Sequence, residues 1–599
     1  MGDDRRFRGD VILETKRTTT STRKCCYPTC QVNINLQRPS RATQYEVLQK
    51  FNFFILDVAK VCRNHLLLDT WMNVNDVAEL NNFTNEQINQ MTKVLRDPRP
   101  SYVRNASSEI EPRLMNACKR NTALTVAQFD DLFDSLPSVH LHFQKRRTAT
   151  AALFMYLMKM RTALPTEDIG NQFHISATSV QRLISKIRPV LQNDLVPQYV
   201  NYARNREEII EHNTAMSNGL LDPENENKAM LICDGTYIFV DKSRNYIHQK
   251  KSFSGQKKRN FLKVMMITAC DGTILYSIAP YPAVLNDASI LKSLLENTVV
   301  FDNLINGDIL LLDRGFRDVV RDVERKGLIV KMPSLVQSSE RKGQLSTLEA
   351  NKSRLVTALR YAIETRNGHL KTIWKMFDHV WSSFAQMNLG QDVEICVSLI
   401  NKYFRTFESN RDNAPQVANR MLAKLHEVNV VGNVVSKDRF QRFIKDFTRF
   451  NNYDELPTLT KEHLFLISLG GYPIKQAESY TQMHIKQNND QFIVWACPNN
   501  TCRNAFQIFF TNDRDPLLFM LRLNSRFRSN KTHSVYVLID RNGADEKAVL
   551  GYYCECYNGW RTVGCCSHVM TLLVFLLHTK GQNLRMPAGF LDNLFNDDG

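Results

Sequence analysis

The sequence has no apolar run long enough to cross a membrane as a helix. A spanning helix needs about 20 apolar residues, and the longest late run, Thr571–Leu577, stops far short of that. The first residues, Met1-Gly-Asp-Asp-Arg-Arg6, lack the apolar core of a secretory signal. Arg6 stands where N-myristoylation wants Ser or Thr, so an intracellular chain is expected. Internal repeats and low-complexity tracts are also missing, which sets repeat architectures aside. Acidic residues are in deficit, 61 against 77 Lys and Arg, leaving a formal charge of +16. That surplus favours an anionic partner, nucleic acid ahead of a membrane surface. With 43% hydrophobic and 23% charged residues, wholesale disorder and collagen-like architectures are excluded. The 599 residues suggest about three to five domains. In an intracellular chain the 14 cysteines read as thiols or metal ligands rather than disulfides.

Helical patterns fill about 120–205. Ala149–Leu164 is rich in helix formers, and Pro165 and Thr166 restart the chain, with Thr166 as an N-cap and Glu167 and Asp168 in the first turn. His174-Ile175-Ser176 reads as a turn with Ser176 as a second N-cap. In the helix that follows, Val180, Leu183, Ile184 and Ile187 make one buried stripe. Ser179, Gln181, Arg182, Ser185 and Lys186 are left for solvent or DNA, in the pattern of a groove-reading helix. Lys145, Arg146 and Arg147 just upstream supply cations for phosphates.

After polar 213–228 the regime changes. Short β-branched runs appear at Met230–Cys233, Tyr237–Val240, Phe261–Ala269, Thr273–Ile278 and Asp308–Leu312, and long helical patterns return from about 346 to 450. Asp234 and Asp313 sit in or at the end of strongly apolar strands, where an acid is costly unless it is paired or holds a cation. Glu364 lies in Arg360-Tyr-Ala-Ile-Glu364-Thr-Arg-Asn-Gly368-His-Leu-Lys371, where positions 360, 364, 368 and 371 share one helical face. Two strand acids and one helix acid make an oxygen-ligand site for Mg²⁺. An ordinary Arg360–Glu364 ion pair and two turn aspartates are the plain alternative.

These stretches resemble the DDE-type transposase domain of the PIF/Harbinger superfamily. The resembling motifs occur in the family's order: Cys233-Asp-Gly-Thr236, Ser252-Phe-Ser-Gly-Gln-Lys-Lys-Arg-Asn-Phe-Leu-Lys263, Asn286-Asp-Ala-Ser-Ile-Leu291, Leu312-Asp-Arg-Gly-Phe316, and Arg360-xxx-Glu364-xxx-Gly368-x-Leu370-Lys371. The helix-turn-helix also stands in the family's place, so the likeness covers about 145–405. It implies an RNase H-like fold with Asp234, Asp313 and Glu364 as a catalytic triad binding two Mg²⁺ (or Mn²⁺) ions for phosphodiester cleavage and strand transfer. Asp287 is a rival for the second acid; it reads here as the cap of helix Ala288–Leu295. Asn286-Asp287 departs from the Gly-Ser-containing motif usual in the family. Lys257, Lys258, Arg259 and Lys263 are candidates for the DNA backbone, with plain surface charge as the alternative.

Near the end, Cys554-x-Cys556, nine residues, then Cys566-x-His568 offers three thiolates and an imidazole for tetrahedral Zn²⁺. Asn558-Gly559 turns the chain between the two close pairs. The spacing and flanks are similar to a SWIM-type zinc finger; Cys565 can substitute for Cys566. Upstream, Arg522, Arg526, Arg528 and Lys531 form an acid-free stretch that reads equally as a DNA contact or a solvated face. A second C₂CH set, Cys26, Cys30, Cys62 and His65, is similar to a THAP-type zinc finger but has a short middle gap; Cys25 can replace Cys26. Cys497 and Cys502 read as two unrelated thiols.

The expected protein is therefore a multidomain α/β chain with an RNase H-like catalytic core, a helix-turn-helix domain and small zinc modules. Its expected segments are a basic tail at 1–24, a zinc module at 25–95, the helix-turn-helix domain at 120–205 and the DDE endonuclease domain at 229–405. A helical region without an assigned role follows at 406–490, then the SWIM-type region at 491–580 and a tail at 581–599. The expected function is a DNA transposase acting in the nucleus on double-stranded DNA, both transposon ends and target. The resemblance implies a homo-oligomer and an accessory DNA-binding protein. The alternative is a domesticated nuclear DNA-binding relative without nuclease activity.

Overall fold

The computed structural model describes residues 11–20, 23–34, 36–39, 41–62, 64–66, 68–96, 106–297, 299–336, 343–382, 385–407, 413–487, 493–506, 509, 514–525 and 531–582. The Asp97–Ser101 linker, Arg526 and Arg528, the first ten residues and nearly all of the C-terminal tail lie outside them. Two compact units form. One comprises Met1–Tyr202, Ile238–Lys242 and His369–Phe404; the other comprises Ala203–Tyr237, Ser243–Gly368 and Arg405–Gly599. Among the described residues no helix is long and apolar enough to cross a membrane.

In the first unit, α1 (Arg41–Phe51) and short strands pack around Phe53, Phe54, Trp71 and Phe83, all fully buried. Further on come α2 (Arg146–Thr162), α3 (Thr166–Phe173) and α4 (Ala177–Asp194). Most of α2 from Ala149 to Met160 is buried, as expected of a helix apolar on nearly every side. Thr166 does not cap α3. Pro165, with its fixed φ and extended ψ, is the last non-helical residue, and Thr166 is the first residue of the helix. Ser176 does cap α4, accepting from Ser179 N at 3.2 Å. The turn between α3 and α4 closes because Gly170 has no side chain: a Cβ there would lie 2.5 Å from Ile175 O. The buried Arg188 of α4 pairs with Asp392 at 2.7 Å, and Tyr156 of α2 donates to the same carboxylate at 2.9 Å. Asp392 belongs to α7 (Leu389–Tyr403), so one buried carboxylate ties three helices.

The second unit carries a mixed sheet. β1 (Met230–Phe239) is one strand, not two. The runs 230–233 and 237–240 join through Asp234-Gly235-Thr236 because paired neighbours keep the chain extended. It is followed by β2 (Arg259–Thr268), β3 (Ile274–Pro282), α5 (Asp287–Asn297), β4 (Ile309–Leu311), β5 (Ile329–Lys331) and the long α6 (Thr347–Ile373). The sheet order is β5-β4-β1-β2-β3, with the short strand Phe253–Ser254 also pairing the start of β2; β1, β4 and β5 are parallel, and β2 and β3 are antiparallel. Its core includes Leu231, Cys233, Ile267, Leu291, Leu310, Leu312 and Phe316.

After α8 (Gly471–Gln487), the antiparallel strands β6 (Pro516–Asn524), β7 (Thr532–Asp540) and β8 (Val549–Cys554) form a meander, and α9 (Ser567–Leu573) covers it. Leu456, Leu459, Leu464 and Ala477 share one core with Phe519, Val537, Cys554 and Leu572. The helical stretch before 490 is thus packed as a wall of the same hydrophobic body.

Candidate active site and metal-binding clusters

The parallel register of β1 and β4 pairs Ile232 with Leu311. Two residues further on, with the strand period of two, stand Asp234, inside β1, and Asp313, just past the end of β4, side by side on neighbouring chains. Glu364 arrives from α6. All three carboxylates converge on one buried side chain, Arg360, one helical turn before Glu364. Its guanidinium lies 3.2 Å from Asp313, 3.6 Å from Glu364 and 3.8 Å from Asp234. Side-chain exposure is 20% for Asp234, 47% for Asp313 and 59% for Glu364, so the cluster opens to solvent on the Asp313–Glu364 side. Burial pushes the Asp234 carboxyl up to about 6; Arg360 opposes that, and Asp313 and Glu364 alongside add to it.

Asn367 of α6 donates to Asp234 at 3.0 Å, while its own carbonyl oxygen is buried without a partner. This residue was missed in the sequence; its position three after Glu364, on the same helical face, was the available signal. The donor set fits a hard divalent cation: three carboxylates meet where a cationic group already sits, beside an orphaned amide oxygen.

Asp287 does not cap its helix. Asn286 does, accepting from Ser289 N at 2.7 Å, and Asp287 is the first residue of α5. Its carboxylate lies against Gly235, where a Cβ would be 3.1 Å away, and is paired with Lys263 at 2.8 Å. Asp287 thus borders the cluster as a fourth acid with its own cation. Lys263 is held in that pair; Lys257 and Lys258, in the turn leading to β2, and Arg259, its first residue, are exposed.

On α4, Gln181, Arg182, Ser185 and Lys186 are exposed, and Val180, Ile184 and Ile187 are buried. Ser179 is half-buried, its hydroxyl 3.0 Å from that of Ser176. Lys145 and Arg147 are exposed. Arg146 is engaged within the fold, over the Phe133 ring and 3.5 Å from Asp134.

Among the described residues two Cys₃His clusters form, each with its four ligand atoms within 4.8 Å of one another. The C-terminal one is Cys554, Cys556, Cys566 and His568, as the spacing predicts; Cys565 is buried in the core instead. Hydrogen bonds from Cys554 and Cys556 hold the Cys566 thiol well below its ordinary value, so a thiolate is already favoured there. His568 turns Nδ1 toward Cys554 at 3.7 Å, and its Nε2 meets Tyr480 Oη at 3.2 Å. An outer partner of this kind fixes the tautomer that leaves Nδ1 for a metal. Gly559 is obligatory in the loop, since a Cβ would fall 1.6 Å from Cys554 O.

The N-terminal cluster uses Cys25, not Cys26, with Cys30, Cys62 and His65. The backbone explains the exchange. Cys25 N bonds Val32 O and Cys26 N bonds Lys60 O, so different neighbours hold the two residues; both are buried, and only the Cys25 sulfur lies with Cys30, Cys62 and His65. Cys62 and Cys25 lie 3.1 and 3.4 Å from His65 Nδ1, and Tyr27 stacks on the imidazole. Burial lowers the His65 pKa and favours the neutral ring a metal needs. Both donor sets suit Zn²⁺.

Comparison with known families supplies the class. Residues 233–401 match the family model for a DDE superfamily endonuclease, and residues 150–197 match the helix-turn-helix of DDE superfamily endonuclease. Both domains support a transposase-like, DNA-cleaving function, and Asp234, Asp313 and Glu364 all fall inside the first match. No curated protein and no solved structure matches the chain.

Proposed function

We propose that the chain is a DNA transposase of the PIF/Harbinger type that acts in the nucleus on double-stranded DNA. The observation that carries this reading is the convergence of Asp234, Asp313 and Glu364 on one point inside the matched endonuclease domain. The sheet order β5-β4-β1-β2-β3, three parallel strands followed by an antiparallel pair, supports an RNase H-like core. Mg²⁺ or Mn²⁺ bound by the three acids would supply Lewis-acid stabilisation of the attacking and leaving oxygens.

In this reading, Asn367 orients Asp234, and Arg360 gives way as the acids take up metal. Water attacks the phosphodiester at the transposon end and releases a 3′-hydroxyl, which then attacks the target strand. No covalent enzyme intermediate is needed. Gln181, Arg182, Ser185 and Lys186 read the end sequence; Lys145, Arg147, Lys257, Lys258 and Arg259 hold backbone. Zn²⁺ in the two Cys₃His clusters, the C-terminal one SWIM-like, serves structure. The protein works as a homo-oligomer that brings two ends together, with an accessory DNA-binding protein where its own end recognition is insufficient.

The test selects duplexes bound by the full chain from a random pool, then incubates them as precut ends with plasmid and Mg²⁺. Joined product supports the transposase. A second reading is favoured by Arg360, which already neutralises the acids: a DNA-binding relative without nuclease activity. Tight selective binding without any joining, even in Mn²⁺, moves the conclusion there.

A further inference from the structure

A small cleft of about 30 Å³ lies where the start of α6 faces the C-terminal zinc loop. Three arginines line it: Arg314, directly after Asp313; Arg354, on α6; and Arg561, inside the Cys556–Cys566 loop. Ser353, Thr357 and Asn558 complete the polar wall, and among the described residues no acid lines the cleft. The Nε atoms of Arg354 and Arg561 are buried without a partner, and so is Asn558 Oδ1. Burial and the neighbouring Arg561 push the Arg354 guanidinium down to about 10.

Such an arrangement is costly as it stands. Guanidiniums are effectively always charged, and each buried donor left unpaired loses its hydration without a replacement partner. Two like charges side by side add repulsion. The other arms are fixed: Arg354 Nη2 donates to Leu469 O at 2.9 Å, and Arg314 Nη1 to Tyr557 Oη at 3.0 Å with its guanidinium over that ring. The wall itself is rigid. Gln344 donates to Cys554 O and Cys556 O, and Asn351 accepts from Thr562 N and Val563 N. These groups are held in place with donors unspent, as in a site built for the oxygens of a phosphate group. Asn558, turned over about its amide, would add an N–H.

We propose that this cleft is a phosphate-binding site, and that in the working protein it takes a backbone phosphate of the DNA being cut. This rests on the endonuclease reading above. Arg354 precedes Glu364 by ten residues of one helix, about 15 Å. Measured along the helix axis, that is about four base-pair steps of B-form DNA. The zinc loop then serves as half of a clamp on the substrate strand, with Arg561 as its contact.

The experiment uses the full chain and three variants, Arg561→Gln, Arg561→Lys and Asn558→Asp, each checked first for an intact thermal transition. One arm measures duplex affinity by anisotropy in EDTA over a salt series. The other measures the unfolding temperature in millimolar inorganic phosphate against chloride. The expected result is a fall in duplex affinity of about three- to tenfold for Arg561→Gln, with a salt slope about one unit smaller and Arg561→Lys close to wild type. Asn558→Asp, which installs a carboxylate among the arginines, should also lose affinity while unfolding at the same or a higher temperature. Phosphate stabilisation of wild type but not of the Gln and Asp variants, with duplex affinity unchanged, would place a free phosphate in the cleft and exclude the DNA strand. Identical duplex affinity and phosphate response in wild type and both variants overturns the site. The phosphate arm needs no DNA, so a chain that binds no duplex at all would sink the endonuclease reading and still leave the cleft decided.

Discussion

Arg360 donates to Asp313 across 3.2 Å, from a helix to the end of a strand, and the same guanidinium faces Asp234 and Glu364. One side chain thus serves as counter-ion for all three acids. Replacing it with Gln removes that cation and leaves three carboxylates repelling. The metal-free protein should lose about 1–2 kcal/mol, a figure kept small because Asp313 and Glu364 are largely exposed. Mn²⁺ should then bind several-fold more tightly, since it no longer displaces a guanidinium. Thermal unfolding and Mn²⁺ titration followed by electron paramagnetic resonance check both halves; unchanged Mn²⁺ affinity would mean that Arg360 and metal do not compete.

The Asp234 carboxyl sets a pH dependence. Its folded pKa, raised to about 6 chiefly by burial, lies above the ordinary 3.8. The native state therefore holds the extra proton between those values. Stability of the metal-free protein should fall as pH rises from about 4 to 6 and should not change further on this account above it. Divalent-metal affinity should run the other way, gaining about tenfold per pH unit up to 6 and then levelling. Asp234→Asn should flatten the stability slope, which denaturant midpoints across that range will show.

The two Cys₃His clusters predict two zinc ions per chain. Cys25→Ser should cost one of them, and Cys26→Ser should cost none, because Cys26 stands outside the four-ligand group. Metal content by mass spectrometry separates the outcomes. Retention of both ions in Cys25→Ser would return Cys26 to the ligand set.

The C-terminal zinc should stabilise more than its own loop. Gln344 donates to the carbonyls of Cys554 and Cys556, and Leu345 N to Tyr557 O, so the chain leading into α6 is fastened to the ligand loop. Cys566→Ser should lower amide protection at 343–351 in hydrogen exchange as well as within 554–568. Loss confined to the loop would show that the fastening is weak.

Much of this was legible in the sequence because the chemistry is local. The strand around Asp234, the strand ending at Asp313 and the helix around Glu364 each carry their own pattern, and C-x-C with C-x-H names its ligands by spacing alone. Adjacent thiols are the limit of that method: Cys25 and Cys26 stand five and four residues before Cys30, either spacing can serve a metal site, and only the folded backbone brings Cys25 to the other ligands. Asp287 reads as a cap because Asp favours helix starts, but Asn286 one residue earlier takes that role, and Asp287 faces Gly235 instead. The arginine cleft was invisible, since Arg314, Arg354 and Arg561 meet only through the packing of the zinc loop on α6. Packing of the 456–477 helices into the β6–β8 core is likewise a tertiary fact that no local period records.

The central claim is that Asp234, Asp313 and Glu364 form a metal-dependent cleavage site, with Asp287 outside it. The most direct measurement is nicking of supercoiled plasmid in Mg²⁺ or Mn²⁺ by the wild-type chain beside Asp313→Asn, Glu364→Gln and Asp287→Asn. The account predicts nicking by wild type, loss of at least about a hundredfold in Asp313→Asn and Glu364→Gln, and only partial loss in Asp287→Asn. Wild-type nicking that survives in Asp313→Asn and disappears in Asp287→Asn would contradict it.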